Sequence, residues 1–206
     1  MNKKYLEVIG EVRKNNHGTE MKIIAYRNSN DIDVEFLDEH QFIRYHSTYA
    51  NFRNGRILNP YDKSIFGIGY LGEGAAKQKT QAGYCWRDMM ERCYSKKQKH
   101  LHPSYYGKTT VCEEWHNFQN FAKWYNDNFY QVGTQRMHLD KDILVNDNKE
   151  YSPNTCLIVP QRINMLFLKK PNKNGLPNGV KMDGKKYDAT YNGKHLGTFN
   201  SIIEAK

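Results

Sequence analysis

Hydrophobic and polar positions alternate strictly over Asp31–Phe36, where Ile32, Val34 and Phe36 are separated by acidic residues. A period of two is typical of a strand with one buried face. The same region contains two further strand patterns, at residues 21–26 and 7–13, with turn residues at Gly18 and residues 28–30. We therefore predict a small β-rich module, in which residues 49–57 add an Asn-Gly turn.

The period then changes to that of a helix. Residues 85–94 place Trp86, Met89, Met90 and Cys93 on one stripe, and the basic residues 96–100 continue the pattern. Residues 114–129 predict a second helix with a buried aromatic stripe. His116 faces away from most of that stripe and is predicted to lie on the surface. An aromatic stripe of this kind is more often core than ligand site.

Two apolar runs follow, at residues 137–144 and 156–159, with a polar turn cluster at residues 146–148. Pro160 then opens a predicted helix over residues 161–168. Strand, loop, strand and helix therefore succeed one another, and this is the ββα-metal outline.

The last part of the chain predicts a three-stranded meander. Short strand patterns at residues 179–182, 186–191 and 194–199 are separated by Asp183-Gly184 and Asn192-Gly193 turns. We predict an α+β fold with three parts: a β-rich module at residues 1–75, a helical region with the ββα unit at 76–168, and a linker with the sheet at 169–206.

The net charge of +9 favours a polyanionic partner, of which nucleic acid is the commonest. The fifteen Tyr, nine Phe and three Trp interleaved with cations favour nucleic acid over an acidic protein.

The N-terminus has no apolar signal core and no run approaches the roughly 20 apolar residues that span a bilayer, so we expect a cytoplasmic protein without membrane contact. Cys85, Cys93, Cys112 and Cys156 lack C-x-x-C spacing, which favours reduced packing residues, with a mixed Cys/His zinc site as the alternative.

Asp140, Asn154 and Asn164 carry a resemblance to the H-N-H nuclease motif, and the surrounding segments resemble bacteriophage H-N-H-type endonucleases. These segments are Arg92-Cys93-Tyr94, residues 111–115, residues 139–144 and residues 151–156. The resemblance implies that Asp140 and Asn164 bind Mg²⁺ or Mn²⁺, that Asn154 braces the loop, and that the protein acts in the cytoplasm of a bacterial host.

Lys141 stands where that family has its general base. An unperturbed Lys has a pKa of about 10.4 and is already protonated near neutral pH, so it cannot accept a proton from water. His138 shares a strand face with Asp140 and is the alternative base. In the structural alternative, Asp140 and Asn154 only cap and turn a hairpin.

The C-terminal meander is similar to the β-sheet half of the DNA-binding domain of plant ethylene-response factors. That resemblance implies a sheet that lies in the major groove of duplex DNA. The chain stops where the packing helix of that family would start, so we expect a truncated sheet. The candidate DNA contacts are Lys181, Lys185, Lys186, Lys194, Arg53, Arg56 and Arg162.

Three functional hypotheses follow. The first is a divalent-metal-dependent DNA endonuclease. The second is a DNA-binding protein that retains the scaffold without cleavage, which the lysine at position 141 favours. The third is an antagonist that binds a host or viral protein.

Overall fold

The computed structural model describes residues 8–101, 103–166, 175–177, 179–191 and 193–205. The elements in chain order are β1 (Val12–Lys14), β2 (Glu20–Asn28), β3 (Asp31–Phe36), β4 (Ile43–Ser47), α1 (Tyr49–Arg53), α2 (Gln81–Tyr94), β5 (Thr110–Val111), α3 (Phe118–Asn128), β6 (Met137–Asp140), β7 (Glu150–Tyr151), β8 (Leu157–Pro160), α4 (Gln161–Leu166), β9 (Val180–Asp183), β10 (Lys186–Tyr191) and β11 (Lys194–Phe199). The mixed helix and strand content confirms the α+β class.

The chain forms two compact units. The first contains the residues up to Phe129 together with Asp147–Thr155, and the second contains Tyr130–Asn146 and the residues from Cys156 onwards. The three-part division of the chain at residues 75 and 168 stays a prediction. Among the described residues, no helix combines the length and apolar character that crossing a bilayer requires.

The first unit begins with an antiparallel sheet in the order β1-β2-β3-β4. The alternation predicted for β3 is confirmed, because Ile32, Val34 and Phe36 are fully buried in a core that also contains Met21, Ile23, Phe52 and Ile57. The opposite face of β3 carries its acidic residues, and Glu35 pairs with Lys22 on β2 at 3.0 Å.

Asp33 departs from simple alternation, since it lies on the acidic face but is only 6 % exposed. The register of β3 shifts on both of its sides, between Ile32 and Val34 against β4 and between Ile23 and Ala25 on β2. The Asp33 carboxylate accepts a hydrogen bond from the backbone N–H of His46 at 3.0 Å and one from Arg27 at 2.5 Å. A side chain therefore takes the place of a ladder partner where the sheet is irregular.

Several predicted boundaries in this module are wrong. The first strand begins at Val12, because Val8 to Gly10 form a turn, and β4 was not predicted. The Asn-Gly pair does not form a hairpin turn: Asn54 caps the C-terminus of α1 and Gly55 follows it with φ +65°. Glycine is favoured after a helix because the left-handed conformation there costs it no Cβ clash.

Helices α2 and α3 of the first unit pack together through the predicted stripes. Trp86, Met89, Met90 and Cys93 of α2 are buried, as are Phe118, Phe121, Ala122 and Tyr125 of α3. The second helix does not run continuously from residue 114, because a 3-10 turn (Glu113–His116) precedes Asn117, whose side chain caps α3. His116 is partly buried, not on the surface as predicted, and its Nε2 lies 3.0 Å from the carbonyl oxygen of Val111.

The second unit contains the antiparallel pair β6 and β8, followed directly by α4. The predicted order of strand, strand and helix is confirmed to this extent. Pro160 ends β8 and does not open the helix, while residues 167 and 168 of the predicted helix lie outside the described residues. Leu139 and Ile158 are paired across the ladder and face one side, while His138 and Asp140 face the other.

The C-terminal meander is also confirmed, with strand order β11-β10-β9. Its apolar face contains Val180 and Ala189, with Tyr187, Phe199 and Ala205 packed against them. Gly184 forms the first turn with φ +60°, whereas Asn192 of the second predicted turn lies outside the described residues.

The burial of Asp33 generates a stability prediction. Asp33→Ala should lower the free energy of unfolding by about 2 to 3 kcal/mol, because it leaves the His46 N–H without its acceptor and removes one of the two carboxylates that contact Arg27. The loss stays at or below the ~3–5 kcal/mol of a fully buried pair because Arg27 is partly exposed. Urea denaturation measures it, and Glu35→Ala on the same strand face is the matched control, with an expected loss below about 1 kcal/mol. Equal losses in the two variants would contradict a special role for Asp33.

Candidate functional site

The candidate site lies at the C-terminal end of β6, on the face that carries His138 and Asp140. Both residues are half-buried, and their ladder partners on β8 are Val159 and Leu157. Residues two apart on a strand point to the same side, so the sequence pattern was sufficient to predict that His138 and Asp140 share a face.

Asp140 closes the turn that follows β6. Its Oδ1 atom accepts hydrogen bonds from the backbone N–H groups of Asp142 and Ile143, each at 2.8 Å. These bonds correspond to the turn-forming alternative considered for this aspartate. Within the described part of the chain, its second carboxylate oxygen makes no hydrogen bond, so one oxygen is engaged in the turn and one remains for a ligand.

Lys141 turns away from solvent immediately after Asp140. The residue is 5 % exposed, and its Nζ donates to Oδ1 of Asp142 at 2.7 Å. Burial of a charged amine is costly unless it is paired, and Asp142 provides that pair. The ion pair between Lys141 and Asp142 was not predicted from the sequence, in which the only signal was that the two residues are adjacent.

His138 is brought together with Asn164 of α4. The amide Nδ2 of Asn164 lies 3.4 Å from Nδ1 of His138, and α4 packs against both strands of the pair. At this distance the contact is long for a hydrogen bond. The orientation of an asparagine amide and the tautomer of a histidine are assigned from the hydrogen-bond network, so either the oxygen or the nitrogen of Asn164 can face the ring.

Asn154 belongs to the first unit, in the turn that follows β7. Its side chain is exposed and makes no hydrogen bond to any described residue. The turn is instead closed by its neighbours, since Thr155 Oγ1 lies 2.9 Å from Ser152 Oγ and donates to the Glu150 carbonyl at 2.9 Å. The brace assigned to Asn154 stays a prediction.

The donors on β6 fit a magnesium or manganese ion better than a zinc ion. Among the described residues, the one cluster of three or more carboxylate, histidine or cysteine ligands is Asp31, Asp33 and His46 in the first unit, not the β6 site. Mg²⁺ is commonly held by one or two carboxylates together with substrate phosphates, which a single Asp140 carboxylate satisfies, whereas zinc sites take three or four protein ligands.

A cation of the protein already contacts both carboxylates of the cluster at Asp31, Asp33 and His46. Arg27 contacts Oδ1 of Asp31 at 3.3 Å and Oδ2 of Asp33 at 2.5 Å. His46 Nδ1 lies 2.9 Å from the same oxygen of Asp31. This arrangement is an internal ion-pair network on the sheet.

The predicted DNA-contact residues are all exposed, and within the sheet Lys181 and Lys186 lie on the same face. Lys181 and Lys186 stand opposite Asp188 and Asp183 in the β9-β10 ladder, so their charge is partly balanced. Lys185 lies in the turn and Lys194 stands opposite Tyr191. The exposed set is Arg53, Arg56, Arg162, Lys181, Lys185, Lys186 and Lys194, of which Arg162 donates to Gln135 at 2.8 Å.

Comparisons with protein-family models, with curated proteins and with solved structures give no match to this chain.

The two hydrogen bonds that Asp140 accepts predict a contribution to stability that is independent of catalysis. Asp140→Ala should lower the free energy of unfolding by about 0.5 to 2 kcal/mol, as for other side chains that cap backbone N–H groups, because two donors lose their acceptor. Asp140→Asn retains an oxygen acceptor and should cost clearly less. Urea denaturation followed by circular dichroism distinguishes the two variants, and equal stability of Asp140→Ala and the wild type would contradict the turn-closing role.

Proposed function

We propose that this protein binds duplex DNA and cleaves it as a divalent-metal-dependent endonuclease of the H-N-H type, with its site at the end of β6. The observation that carries the proposal is the presence of His138 and Asp140 on one strand face, with Asn164 of the following helix in contact with His138. The net charge of +9 supports a polyanionic substrate.

Asp140 is the residue that would hold Mg²⁺ or Mn²⁺, through the oxygen that does not close the turn. A bound divalent cation supplies electrostatic stabilisation of the charge on the phosphate that is cleaved. The turn-closing bonds fix the carboxylate plane, so Asp140 enters the reaction already oriented. Asn164 is the second ligand implied by the resemblance.

His138 is the residue best suited to accept the proton of the attacking water. For Nε2 to accept a proton, Nδ1 must carry a hydrogen and donate it to an acceptor. The side-chain oxygen of Asn164 provides that acceptor when the amide is turned with its oxygen towards the ring. Asn164 then acts as a positioning residue for His138, in place of the metal-ligand role that the resemblance implies for it.

A DNA-binding scaffold without cleavage is the second candidate function. It is favoured by the amine of Lys141, which is held in an ion pair with Asp142 at the position where the resemblance places a general base. It is also favoured by the turn-closing role of Asp140, which accounts for an aspartate at this position without chemistry.

A plasmid-nicking assay with Mg²⁺ or Mn²⁺ separates the two candidates. The wild type should nick supercoiled DNA, and Asp140→Asn should abolish nicking while retaining the fold and DNA affinity, because the carboxylate acts through the metal. His138→Ala should also abolish nicking, whereas Lys141→Ala should not abolish it if His138 is the base.

The outcomes of this assay are distinct. If the wild type binds DNA but does not nick it with either metal, the endonuclease proposal fails and the protein is a DNA-binding scaffold without cleavage. Loss of nicking in Lys141→Ala, with His138→Ala active, would assign Lys141 as a cation that stabilises the transition state and would remove His138 as the base.

Binding of duplex DNA should depend steeply on salt. The logarithm of the association constant should fall linearly with the logarithm of salt concentration, with a slope of about −0.9 per phosphate neutralised. Replacing Lys185 and Lys194 together by Ala should reduce the slope by about 1.8, since neither residue faces an acidic partner in the ladder. Filter binding across a salt series measures this.

The control for that measurement is Lys123→Ala on α3, whose amine is paired with Asp127 at 3.0 Å. Its salt slope should equal that of the wild type. A wild type with a flat slope, or without DNA affinity, would favour the protein-antagonist hypothesis.

A further inference from the structure

A small groove lies at the start of α2, in a part of the first unit to which the sequence analysis assigned no contact. It has a volume of about 270 Å³ and is lined by Gln78, Lys79, Gly83, Tyr84, Trp86 and Arg87. Pockets that enclose drug-sized ligands occupy about 300 to 1,000 Å³, so this groove takes a smaller flat fragment.

Tyr84 presents an aromatic ring to solvent at the edge of this groove. The side chain is 61 % exposed, although most aromatic residues of α2 and α3 are buried. In the described part of the chain, Tyr84 makes no ring contact, cation–π contact or hydrogen bond through its side chain. An exposed ring without a partner is available for stacking.

Two cations, Lys79 and Arg87, line the groove together with the ring, and Lys77 lies close to them in the sequence. Lys77 and Lys79 precede the helix, Arg87 lies one turn beyond Tyr84, and all three are exposed. Among the residues that the structure describes, none of the three has an ion-pair partner. By contrast, Lys22, Arg27 and Lys141 are each paired with a carboxylate. The first turn of α2 contains no acidic residue, and Asp88 on the next turn bounds the cationic surface.

The shape of the groove is fixed by the backbone. A Cβ atom added at Gly83 would lie 2.1 Å from the carbonyl oxygen of Gln78, so the segment before the helix packs closely on its first turn. Thr80 caps the helix by accepting from the Gly83 N–H at 3.2 Å. The buried ring of Trp86 forms the floor. The backbone and the indole of the groove are therefore preformed, and the exposed side chains of Lys79, Tyr84 and Arg87 complete it.

We propose that this groove binds single-stranded DNA, with one unpaired base stacked on Tyr84 and the flanking phosphates contacted by Lys79 and Arg87. An aromatic face next to unpaired cations is the arrangement by which single strands are bound without sequence preference. Bases inside a duplex are stacked on one another and do not offer a free face. The inference extends the proposed function, on whose DNA partner it rests, to strands that are open or frayed.

The test is the affinity of the full-length protein for a fluorescein-labelled oligothymidylate, measured by fluorescence anisotropy. Tyr84→Ala should weaken binding about 5- to 100-fold, while Tyr84→Phe, which keeps the ring, should bind within about twofold of the wild type. Tyr45→Ala is the matched control, because Tyr45 is 60 % exposed and lies on the N-terminal sheet, and it should not change the affinity.

Two further measurements identify the mode of binding. A fluorescent adenine analogue placed in the oligonucleotide should be quenched on binding to the wild type and to Tyr84→Phe, but not to Tyr84→Ala. Arg87→Ala and Lys79→Ala should each reduce the salt slope by about 0.7, the value for one phosphate of a single strand, whereas Lys123→Ala should leave it unchanged.

The inference is overturned if the wild type does not bind the oligonucleotide, or if Tyr84→Ala binds it as tightly as the wild type does. Either result leaves the duplex nicking and duplex salt dependence untouched, so it is distinguishable from failure of the proposed function. Conversely, a wild type that binds no duplex DNA but binds the oligonucleotide through Tyr84 would contradict the proposed function and support single-strand binding at the groove.

Discussion

The indole of Trp86 joins the parts of the first unit. Its ring packs on Phe118 of α3 with 5.2 Å between the ring centroids, and its N–H donates to the carbonyl of Trp115 at 2.7 Å. On another side it contacts the loop after the N-terminal sheet, where a Cβ at Gly69 would lie 3.0 Å from the indole. A buried Trp stabilises by area, but its N–H must also find an acceptor, so this ring fixes the relative position of helix, helix and loop.

The elements that the sequence predicted well are those with local patterns. The alternation in β3, the apolar stripe of α2 and the two glycine-containing turns of the C-terminal meander depend on neighbouring residues, and β3, α2 and the three strands of the meander are present. The burial of Asp33 was not predictable, because it arises where β3 loses register with both neighbours at once. The break at Asn117 likewise depends on its capping of α3, which competes with continuation of the preceding turn.

The candidate site shows the same limit. That His138 and Asp140 share a face follows from the period of a strand. The sequence showed Lys141 only as a lysine at the position of the family's general base, whereas the structure buries it against Asp142. Whether a charged side chain beside a site is solvated or paired depends on the path of the backbone after the strand, which here is set by the hydrogen bonds of Asp140. The same holds for the cations of the chain, because a count from the sequence treats them all alike, whereas the structure pairs some of them with carboxylates, as it does Arg27 with Asp33.

The chain passes between the two compact units more than once, since Asp147–Thr155 belongs to the first unit while the segments on both sides of it belong to the second. Within that return segment, β7 pairs in parallel with β5, joining Thr110 to Glu150 and Val111 to Tyr151. During synthesis the first unit therefore stays incomplete until residue 155 has left the ribosome, although most of its core precedes residue 129. Because the two units interleave along the sequence, no single proteolytic cut or division of the gene can separate them cleanly.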